Sequence, residues 1–318
     1  MAIQHLSFDS ANPAHIEAFT QVWNEACGAN LSVSERFVRF NVAPNTGGSQ
    51  AGQVAFADGQ PVGVVLASWL AGEPFVRPPD LGWIDALAVV PSAQHQSIGA
   101  QLLAWAEQWL REQGCRGCAL GTSLRPFTPG VPVELESVPF FQRNGYMESR
   151  TVWDMAANLA YYESPPTVRK IDGVVRPARA EDKEALLDFL RREFPGRWRY
   201  EAEESLRDPA VRFSDYMLLW TERGVDGFCR LSFEDSRQPI ERYFPYGLPR
   251  PWGQLGTVGV SADRRGRGYG AALLDAGLRR LHNNGVNGCV IDWLVIVDFY
   301  AKFGFTTHRE YRQMEKAL

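Results

Sequence analysis

The sequence predicts an α/β (α+β) fold built from two domains that follow one another along the chain. The length of 318 residues is about twice that of a common domain. Strand and helix patterns occur in the same order in both halves of the chain. Hydrophobic residues make up 45% of the sequence and charged residues 22%, as in globular proteins with a core. Strands mixed with helices at this spacing indicate sheets flanked by helices.

An internal repeat supports the two-domain prediction. The stretch LAVVPSAQHQSIGAQLL (87–103) aligns with VGVSADRRGRGYGAALL (258–274), 171 residues further on. Downstream, FFQRNGY (140–146) aligns with FYAKFGF (299–305) at an offset of 159. The offset falls because the first copy contains extra residues, RPFTPGVPVELESVP. Between the copies, the prolines of YYESPPTVRKIDG oppose regular structure, so we expect one domain over residues 1–165 and another over 166–318.

The elements of the second half follow from their apolar patterns. Leu274, Leu278 and Leu281 recur at helical spacing, and NNG ends that helix. The expected order is strand GVVRPA, helix EDKEALLDFLRREF, strands DYMLLWTE, DGFCRLSFE and LGTVGV, helix GAALLDAGLRRLHNNG, strand CVIDWL, short helix VDFYAKFG and strand REYRQMEK.

Composition excludes several classes of protein. Lys and Arg total 33 against 37 Asp and Glu, so no global basic field exists for a nucleic acid. The longest nearly apolar run, VGVVLASWLAG, is too short to span a membrane, and MAIQHLSFDS resembles no signal peptide. We therefore expect a cytoplasmic protein without a membrane partner. Cys115 and Cys118 form a single C-x-x-C without a second pair, so we expect buried thiols and no metal site.

The stretch RRGRGYG (264–270) lies between a strand that ends at Val260 and a helix that opens near Gly268. Glycines allow an anion to approach the free N–H groups at a helix N-terminus, so the stretch indicates a phosphate site. No Lys follows the glycines, which excludes a Walker A loop. A dinucleotide fingerprint, G-x-G-x-x-A, is a rival, but SADRR separates the strand from the first glycine.

A third phosphate loop, Q/R-x-x-G-x-G/A, is filled in order by Arg265, Gly268 and Gly270. Together with the strand order, the downstream FYAKFGF and the duplication, this loop resembles the GNAT acetyltransferase superfamily. The resemblance covers essentially the whole chain as two tandem GNAT domains, each a mixed, splayed, mostly antiparallel sheet flanked by helices. It implies acetyl-CoA as acyl donor. The residues that it assigns to cofactor binding are Val258, Val260, Arg265, Gly266, Arg267, Gly268, Tyr269, Gly270 and Ala271.

The resemblance also implies a chemistry. Tyr300 of FYAKFGF matches the family's general acid, and a phenol with a pKa of roughly 10 stays protonated near neutral pH. The family often places a Glu on the strand before the loop, but Gly256 stands there. A water chain, Asp292 or Glu234 remains as the base, and the residues do not decide among them. The corresponding position of the first half holds Asp85.

The first half departs from the pattern at two places. Its loop QHQSIGA keeps a second set of cofactor positions, but a serine replaces the middle glycine. Phe141 replaces the tyrosine and cannot donate a proton. We therefore expect the main site in the second half. The possible second cofactor site consists of Gln94, Ser97, Gly99 and Ala100.

The sequence does not identify the acceptor. The expected reaction is direct transfer of an acetyl group to a primary amine of a small molecule or a peptide. Arg197 and Arg199 are candidates to bind an anionic part of the acceptor, and the loop RPFTPGVP (125–132) is a candidate border of its cleft. The alternatives are a CoA-thioester sensor without turnover and a nicotinamide-dependent oxidoreductase.

Overall fold

The structure, a computed structural model, describes residues 3–43 and 45–318. The chain divides into two compact units, Met1–Val152 with Arg309–Leu318, and Trp153–His308. The first unit is therefore discontinuous in sequence, because the last ten residues of the chain belong to it, whereas the second unit is one continuous range. The boundary at 165/166 between the two sequence repeats stays a prediction. Within the described residues, every helix is too short or too polar to cross a membrane.

Strands and helices alternate along the chain in the predicted order. In the first part they are β1 (Ile3–Ser7), α1 (Pro13–Cys27), α2 (Glu35–Asn41), β2 (Gly48–Ala57), β3 (Gln60–Leu70), β4 (Leu81–Val89), α3 (Ile98–Glu112), β5 (Gly117–Leu120), β6 (Val131–Pro132), α4 (Val138–Arg143) and β7 (Met147–Asn158). In the second part they are β8 (Val174–Pro177), α5 (Lys183–Glu193), α6 (Arg197–Ser205), β9 (Tyr216–Thr221), β10 (Gly224–Phe233), β11 (Trp252–Val260), α7 (Tyr269–Asn283), β12 (Gly288–Leu294), α8 (Val297–Ala301) and β13 (Thr306–Ala317).

The first unit contains a mostly antiparallel sheet in the order β1-β2-β3-β4-β5-β13, with β6 beside β13. Strands β4 and β5 form the parallel pair, from Leu81 opposite Gly117 to Ile84 opposite Leu120. Beyond Ile84, β4 continues without β5 as a partner. Two parallel strands that part in this way expose backbone groups to a ligand.

The second unit repeats the arrangement in the order β8-β9-β10-β11-β12, followed by the Trp153–Asn158 part of β7. Strands β11 and β12 run parallel and pair only from Trp252 opposite Gly288 to Gln254 opposite Val290. The predicted fold class, a mixed, splayed and mostly antiparallel sheet flanked by helices, is confirmed for both units.

Side chains alternate between the two faces of the second sheet, because successive residues of a strand point to opposite sides. Leu231, Leu255 and Ile291 face α7, whose apolar stripe buries Leu274 and Leu278 against them. Each fully buried leucine stabilises the packing by about 1.5–3 kcal/mol. The opposite face is covered by α5 and α6, and this second face also holds the polar side chains described below.

Both long central helices end in the same way. Gly285 has φ +80° and follows α7, where the N–H of Val286 donates to the carbonyl of Leu281. Gly114 has φ +86° and follows α3, where the N–H of Cys115 donates to Leu110. This C-cap requires a left-handed residue, which glycine adopts without a steric cost. The repeat seen in the sequence is thus also a repeat of backbone conformation.

Candidate functional site

The glycine loop of the second unit connects β11 to α7 and has a conformation suited to an anion. Gly266 has φ +74° and Gly268 has φ +91°, and a Cβ at Gly266 would meet no atom within 4 Å. In the described structure no hydrogen bond is donated by the N–H groups of residues 266–271, and the first helical bond runs from Ala272 to Gly268. Unsatisfied donors at the N-terminus of a helix attract phosphate oxygens.

Side chains of the loop have different tasks. The Nε of Arg265 donates to the carbonyl of Val260 at 3.4 Å, which ties the loop to the end of β11. Arg267 is exposed and takes part in no ion pair of the described residues, so its charge is available to a ligand. Tyr269 is buried, and its hydroxyl donates to the carbonyl of Asp172 at 3.3 Å. The side chain of Tyr269 therefore packs in the core under the loop, and only its backbone N–H is positioned to bind a cofactor.

A buried carboxylate anchors the start of the loop. Asp226 accepts hydrogen bonds from the hydroxyls of Thr221 at 2.6 Å and Ser261 at 2.7 Å and from the guanidinium of Arg223 at 2.7 Å. Burial favours the protonated form of Asp226, but these donors outweigh it and hold its pKa at about 2. Ser261 also donates its backbone N–H to the carbonyl of Asp226 at 2.9 Å, so the turn after β11 is fixed.

Strand β11 bulges away from β10 just before the loop. The pairing shifts from Arg230 opposite Gly256 to Phe228 opposite Gly259, which leaves Thr257 and Val258 outside the ladder. Thr257 has φ +46°, a conformation that costs a β-branched residue about 1–3 kcal/mol. The bulge and the end of β12 pairing at Gln254 together leave one edge of β11, which includes Val258 and Val260, without a strand partner.

Strand β12 bulges as well, at Asp292 and Trp293. Its pairing with β7 shifts between Ile291 and Leu294, and Trp293 has φ +57°. The N–H of Trp293 donates to Asp154 at 2.9 Å, which holds this strained residue in place. Bulges of this kind re-aim a side chain next to a site. Here the side chain is that of Asp292.

Asp292 is linked to a glutamine of the neighbouring strand. The Nε2 of Gln254 donates to Oδ1 of Asp292 at 2.9 Å, and the hydroxyl of Ser232 lies 3.3 Å from Oε1 of Gln254. Burial raises the pKa of Asp292, opposed by the charge of Arg242 and by the Gln254 hydrogen bond. A carboxylate with a raised pKa is a better proton acceptor near neutral pH.

The packing around Gly256 leaves no room for an acidic side chain on the strand before the loop. A Cβ at position 256 would overlap the Nε2 of Gln254. A side chain at 256 would therefore displace Gln254 from Asp292. Gly256 stands at the position where the resemblance places a Glu, and next to it Gln254 of β11 is hydrogen-bonded to Asp292 of β12. Gln254 was not identified as a site residue from the sequence. The available signal was Gly256 in GQLG, because a glycine two residues along a strand leaves room on the same face for the Gln254 side chain.

Tyr300 lies in α8 and packs in the core beneath α7. Its ring lies 5.0 Å from that of Phe299, and the residue is 5% exposed. Within the described part of the chain its hydroxyl makes no hydrogen bond. Burial, followed by the charge of Asp292, raises the pKa of Tyr300 to about 12. The phenol therefore stays protonated, and its hydroxyl is free to donate.

The other sequence candidates are engaged elsewhere. Glu234 lies just beyond β10, where its Oε1 accepts from Arg250 and from the N–H of Trp252, each at 3.0 Å. On α6, Arg197 pairs with Glu201 at 2.6 Å, and Arg199 pairs with Glu203 at 2.6 Å. Arg197 also stacks at 4.3 Å over the ring of Trp293. Of these, only Arg197 is also linked electrostatically to Asp292.

The loop of the first unit keeps its backbone conformation although it lacks two glycines. His95 and Ser97 have φ +59° and +64°, at the positions that align with Gly266 and Gly268. The Nε2 of Gln94 donates to the carbonyl of Val89 at 3.0 Å, as Arg265 does to Val260. Residues with side chains occupy this region at a cost of about 1–3 kcal/mol each.

Gly99 and Ala100 of the same loop open α3. A Cβ at Gly99 would lie 3.4 Å from the ring of Phe140, an ordinary contact. The helix follows from Ser97, whose carbonyl accepts from the N–H of Gln101 at 3.0 Å. Phe141, in place of the tyrosine, is buried with its ring 5.9 Å from that of Tyr146. The first unit thus has a loop for an anion but no phenol at the position of Tyr300.

The inserted loop of the first unit fills the face that is covered by α1 and α2. Phe127 is fully buried, with its ring 5.1 Å from Phe19, 4.8 Å from Trp23 and 5.2 Å from Phe37. Arg125 donates to the carbonyl of Ala43 at 2.9 Å. These aromatic contacts bury residues 126–132 in the core of this unit, and the expectation that residues 125–132 border the acceptor's cleft stays a prediction.

Asp85 lies beneath this loop and is 2% exposed. Its carboxylate accepts from the hydroxyl of Ser68 at 2.9 Å and from the amide of Gln50 at 3.3 Å. Burial raises its pKa to about 6, opposed by hydrogen bonds from Ser123, Ser68 and Gln50. Its partners are the side chains of Gln50 on β2, Ser68 on β3 and Ser123 in the loop after β5.

The residues described contain no cluster of His, Cys, Asp and Glu that could hold a metal. Cys115 and Cys118 are buried, and the Sγ of Cys118 lies 3.2 Å from the hydroxyl of Tyr146. Burial raises the pKa of both thiols to about 11, so they stay protonated.

The sequence model of the acetyltransferase (GNAT) family matches residues 14–146 and 183–305. The chain therefore belongs to this family of acetyltransferases, with one match in each half. Mycothiol acetyltransferase of Geodermatophilus obscurus is 28% identical over 236 residues, which cover 70% of this chain and 70% of that protein.

Solved structures share the fold. A GCN5-related glucosamine N-acetyltransferase region of a fungal multi-domain β-N-acetylglucosaminidase matches with a TM-score of 0.87 and 22% identity, over 99% of this chain and 38% of that much longer one. A tandem GNAT protein of the clavulanic acid biosynthesis pathway matches with a TM-score of 0.72 and 13% identity, over 99% of this chain and 98% of that one.

Asp85 makes the stability of the first unit depend on pH. Its folded-state pKa of about 6 lies above the ordinary value of 3.8, so the folded state binds the extra proton. Stability is highest below pH 4 for this group and falls as pH rises to 6, by about 3 kcal/mol at 1.36 kcal/mol per pKa unit. We expect Asp85→Asn to remove this decline in urea unfolding at pH 4.5 and 7.5. The exposed Asp58→Asn serves as control, and an unchanged decline in Asp85→Asn would contradict the assignment.

Proposed function

We propose that this protein transfers the acetyl group of acetyl-CoA to the primary amine of a small molecule or a peptide, with its main site in the second unit. The observation that carries the proposal is the junction of the parted strands β11 and β12 with the glycine loop. The names of the relatives, mycothiol acetyltransferase and a glucosamine N-acetyltransferase region, favour a small-molecule acceptor.

The residues of the second unit fit acetyl-CoA. Six unpaired N–H groups over residues 266–271 and the exposed Arg267 suit a pyrophosphate. The unpartnered edge of β11 at Val258 and Val260 suits the extended pantetheine arm, since such an edge accepts main-chain hydrogen bonds. Bound there, acetyl-CoA would supply the activated acetyl group.

Asp292 is the base in this proposal. The attacking amine must be neutral, and a carboxylate with a raised pKa can accept its proton. The nitrogen then bonds to the acetyl carbon, the carbon–sulfur bond breaks, and the electron pair leaves with sulfur. Glu234, tied to Arg250 and to the backbone of Trp252, is the weaker candidate.

Tyr300 assists the departing sulfur. A phenol with a pKa of about 12 can donate a hydrogen bond to the departing thiolate. Complete transfer of its proton is unfavourable, because the resulting thiol has an ordinary pKa of only about 8.5. Part of the elevation comes from the negative charge of Asp292. When Asp292 takes the amine proton, that charge disappears and the pKa of Tyr300 falls. The two proton transfers therefore favour one another.

The first unit lacks the phenol and has Phe127 packed where an acceptor would lie on its own sheet face. Its loop at Gln94, Ser97, Gly99 and Ala100 keeps the conformation of a cofactor loop. We propose that it binds CoA without turnover or supports the fold.

Tyr300→Phe removes one hydroxyl that makes no hydrogen bond of its own, so folding is preserved. We expect kcat for acetyl transfer to fall about 100-fold, the effect typical of a lost general acid, with unchanged affinity for CoA. Thiol release with an amine panel and calorimetric titration of CoA measure the two quantities. Tyr161→Phe, at a residue that is 94% exposed, is the control. Full activity of Tyr300→Phe would remove the residue from the mechanism, and CoA binding without turnover in the wild type would favour a sensor.

A matched pair of loop variants tests which unit carries the main site. Gly270→Leu adds a side chain that meets Val260 and Phe299 next to the second loop, and Gly99→Leu adds one that meets Val89 and Phe140 next to the first, both inside the first turn of a helix. We expect Gly270→Leu to lower kcat/KM for acetyl-CoA about 100-fold through lost phosphate contacts, and Gly99→Leu to change it less than about threefold. The reverse ranking would move the main site to the first unit.

Gly256→Ala tests the Gln254–Asp292 pair. The added methyl group displaces the Gln254 amide from Asp292, which removes a hydrogen bond that lowers the pKa of Asp292. We expect kcat/KM to fall about 10-fold and its acidic limb to move to higher pH. Gly247→Ala, at an exposed position with only an ordinary contact 3.7 Å from His308, is the control. An unmoved acidic limb would show that Asp292 does not titrate in the reaction.

A further inference from the structure

We propose that the amine acceptor carries an oxyanion, either a carboxylate or a phosphate-type group, which binds between Arg230 and Arg242 beside Asp292. This inference rests on the proposed transfer at Asp292 and adds the chemical class of the acceptor. It replaces Arg197 and Arg199, the cations that the sequence suggested, because α6 glutamates already neutralise both.

Arg230 lies on the same sheet face as Gln254. Its Cα is opposite Gly256 on one side and opposite Tyr216 on the other, so the three residues share a face. Gly256 contributes no side chain next to Arg230, and the space over its Cα is occupied by the amide of Gln254. Arg230 is half-buried, and its guanidinium has neither a hydrogen bond nor an ion pair with the described residues.

Arg242 reaches the same face from a short helical turn, Ile240–Tyr243. Ile240 and Tyr243 of the turn pack against Trp252 and Val290, which fixes the turn over the start of β11 and β12. The charge of Arg242 acts on Asp292, Arg197 and Tyr243. Its half-buried guanidinium, like that of Arg230, is without a hydrogen-bonded or ion-paired partner in the part of the chain that the structure describes.

Two of the three cations in this part of the site, Arg230 and Arg242, have no ion-paired carboxylate among the described residues. Arg197, Arg230 and Arg242 contribute three cations, while Glu201 and Asp292 contribute two carboxylates. Glu201 already binds Arg197 at 2.6 Å. Half-buried cations are normally paired, since an unpaired charge loses hydration without compensation.

Two further groups border this cluster. Asp215 acts on Arg230 but is bound to Arg212 at 3.2 Å, so it does not neutralise Arg230 directly. The hydroxyl of Tyr216 is buried and without a partner among the residues described, and the ring lies 5.8 Å from the guanidinium of Arg230. An oxyanion of the acceptor would supply the missing partner for both cations.

An anchored oxyanion would also orient the acceptor. Guanidinium groups bind carboxylates and phosphates in a fixed planar geometry, so they fix a direction as well as an affinity. The amine at the other end would then face Asp292. Arg230 and Arg242 are therefore specificity-determining residues in this inference, and neither exchanges protons in the reaction.

Three amines that share a 2-aminoethyl group test the inference: propylamine, β-alanine and 2-aminoethylphosphonate. They differ only in a terminal methyl, carboxylate or phosphonate. We expect the full-length wild-type protein to prefer at least one anionic member to propylamine by about 10- to 100-fold in kcat/KM, the range of one or two charged hydrogen bonds. Comparison of the carboxylate with the phosphonate identifies which oxyanion is bound. Preference for propylamine would overturn the inference.

Arg230→Gln and Arg242→Gln should each lower kcat/KM for the anionic amine more than kcat/KM for propylamine, so that the preference disappears. Arg237→Gln is the control, since Arg237 is 57% exposed and pairs with Asp208. Equal losses for charged and neutral amines would mean a structural role and would overturn the inference. Calorimetric binding of the three amines to the CoA complex separates the two proposals. Anion-selective binding that depends on both arginines, without acetyl transfer, would refute only the proposed catalysis.

Discussion

The parting of β11 and β12 after three residue pairs is the constraint on which the second unit depends. A parallel pair that stayed closed would satisfy its own backbone and offer nothing to a ligand. Beyond the last pair each strand carries a bulge, at Thr257 and at Trp293, where the backbone enters the left-handed region. These two strained residues cost about 1–3 kcal/mol each and are held by neighbours such as Asp154. Strain of this size, concentrated at one point, is typical of functional sites.

Comparison of the two units separates what the fold requires from what the chemistry requires. Both units keep the parted strands, the left-handed loop residues and the side-chain bond from the loop to the strand end. Only the second unit combines them with Tyr300 and with a sheet face that its own loops leave polar. In the first unit, Phe127 occupies the corresponding face and Asp85 is enclosed beneath it. The backbone geometry is thus common to both units, whereas the first unit has Phe141 where the second has Tyr300.

The sequence predicts the fold, the order of elements and the glycine loop because these depend on local patterns and on a repeat. It does not predict that His95 and Ser97 adopt the glycine conformation, since only the surrounding turn enforces it. Nor does it predict that the 125–132 loop is buried, because that follows from tertiary contacts of Phe127. Gln254 escaped notice for a similar reason: its partner Asp292 lies on another strand, 38 residues away. Arg197 and Arg199 are candidates from the sequence to bind an anion, but each is paired with a glutamate one turn further along α6.

The replacement of an acid on β11 by a Gln–Asp pair changes the electrostatics of the site. A side chain at position 256 would lie opposite Arg230, but it would have to displace the amide of Gln254. Moving the carboxylate to β12 leaves Arg230 unpaired and brings the negative charge under the influence of Arg242 instead. In the proposed mechanism Asp292 keeps its raised pKa through burial, and Arg230 is available to the acceptor. A glycine at position 256 thus goes with two features of this sheet face: β11 carries no acid there, and Arg230 has no ion-paired carboxylate among the described residues.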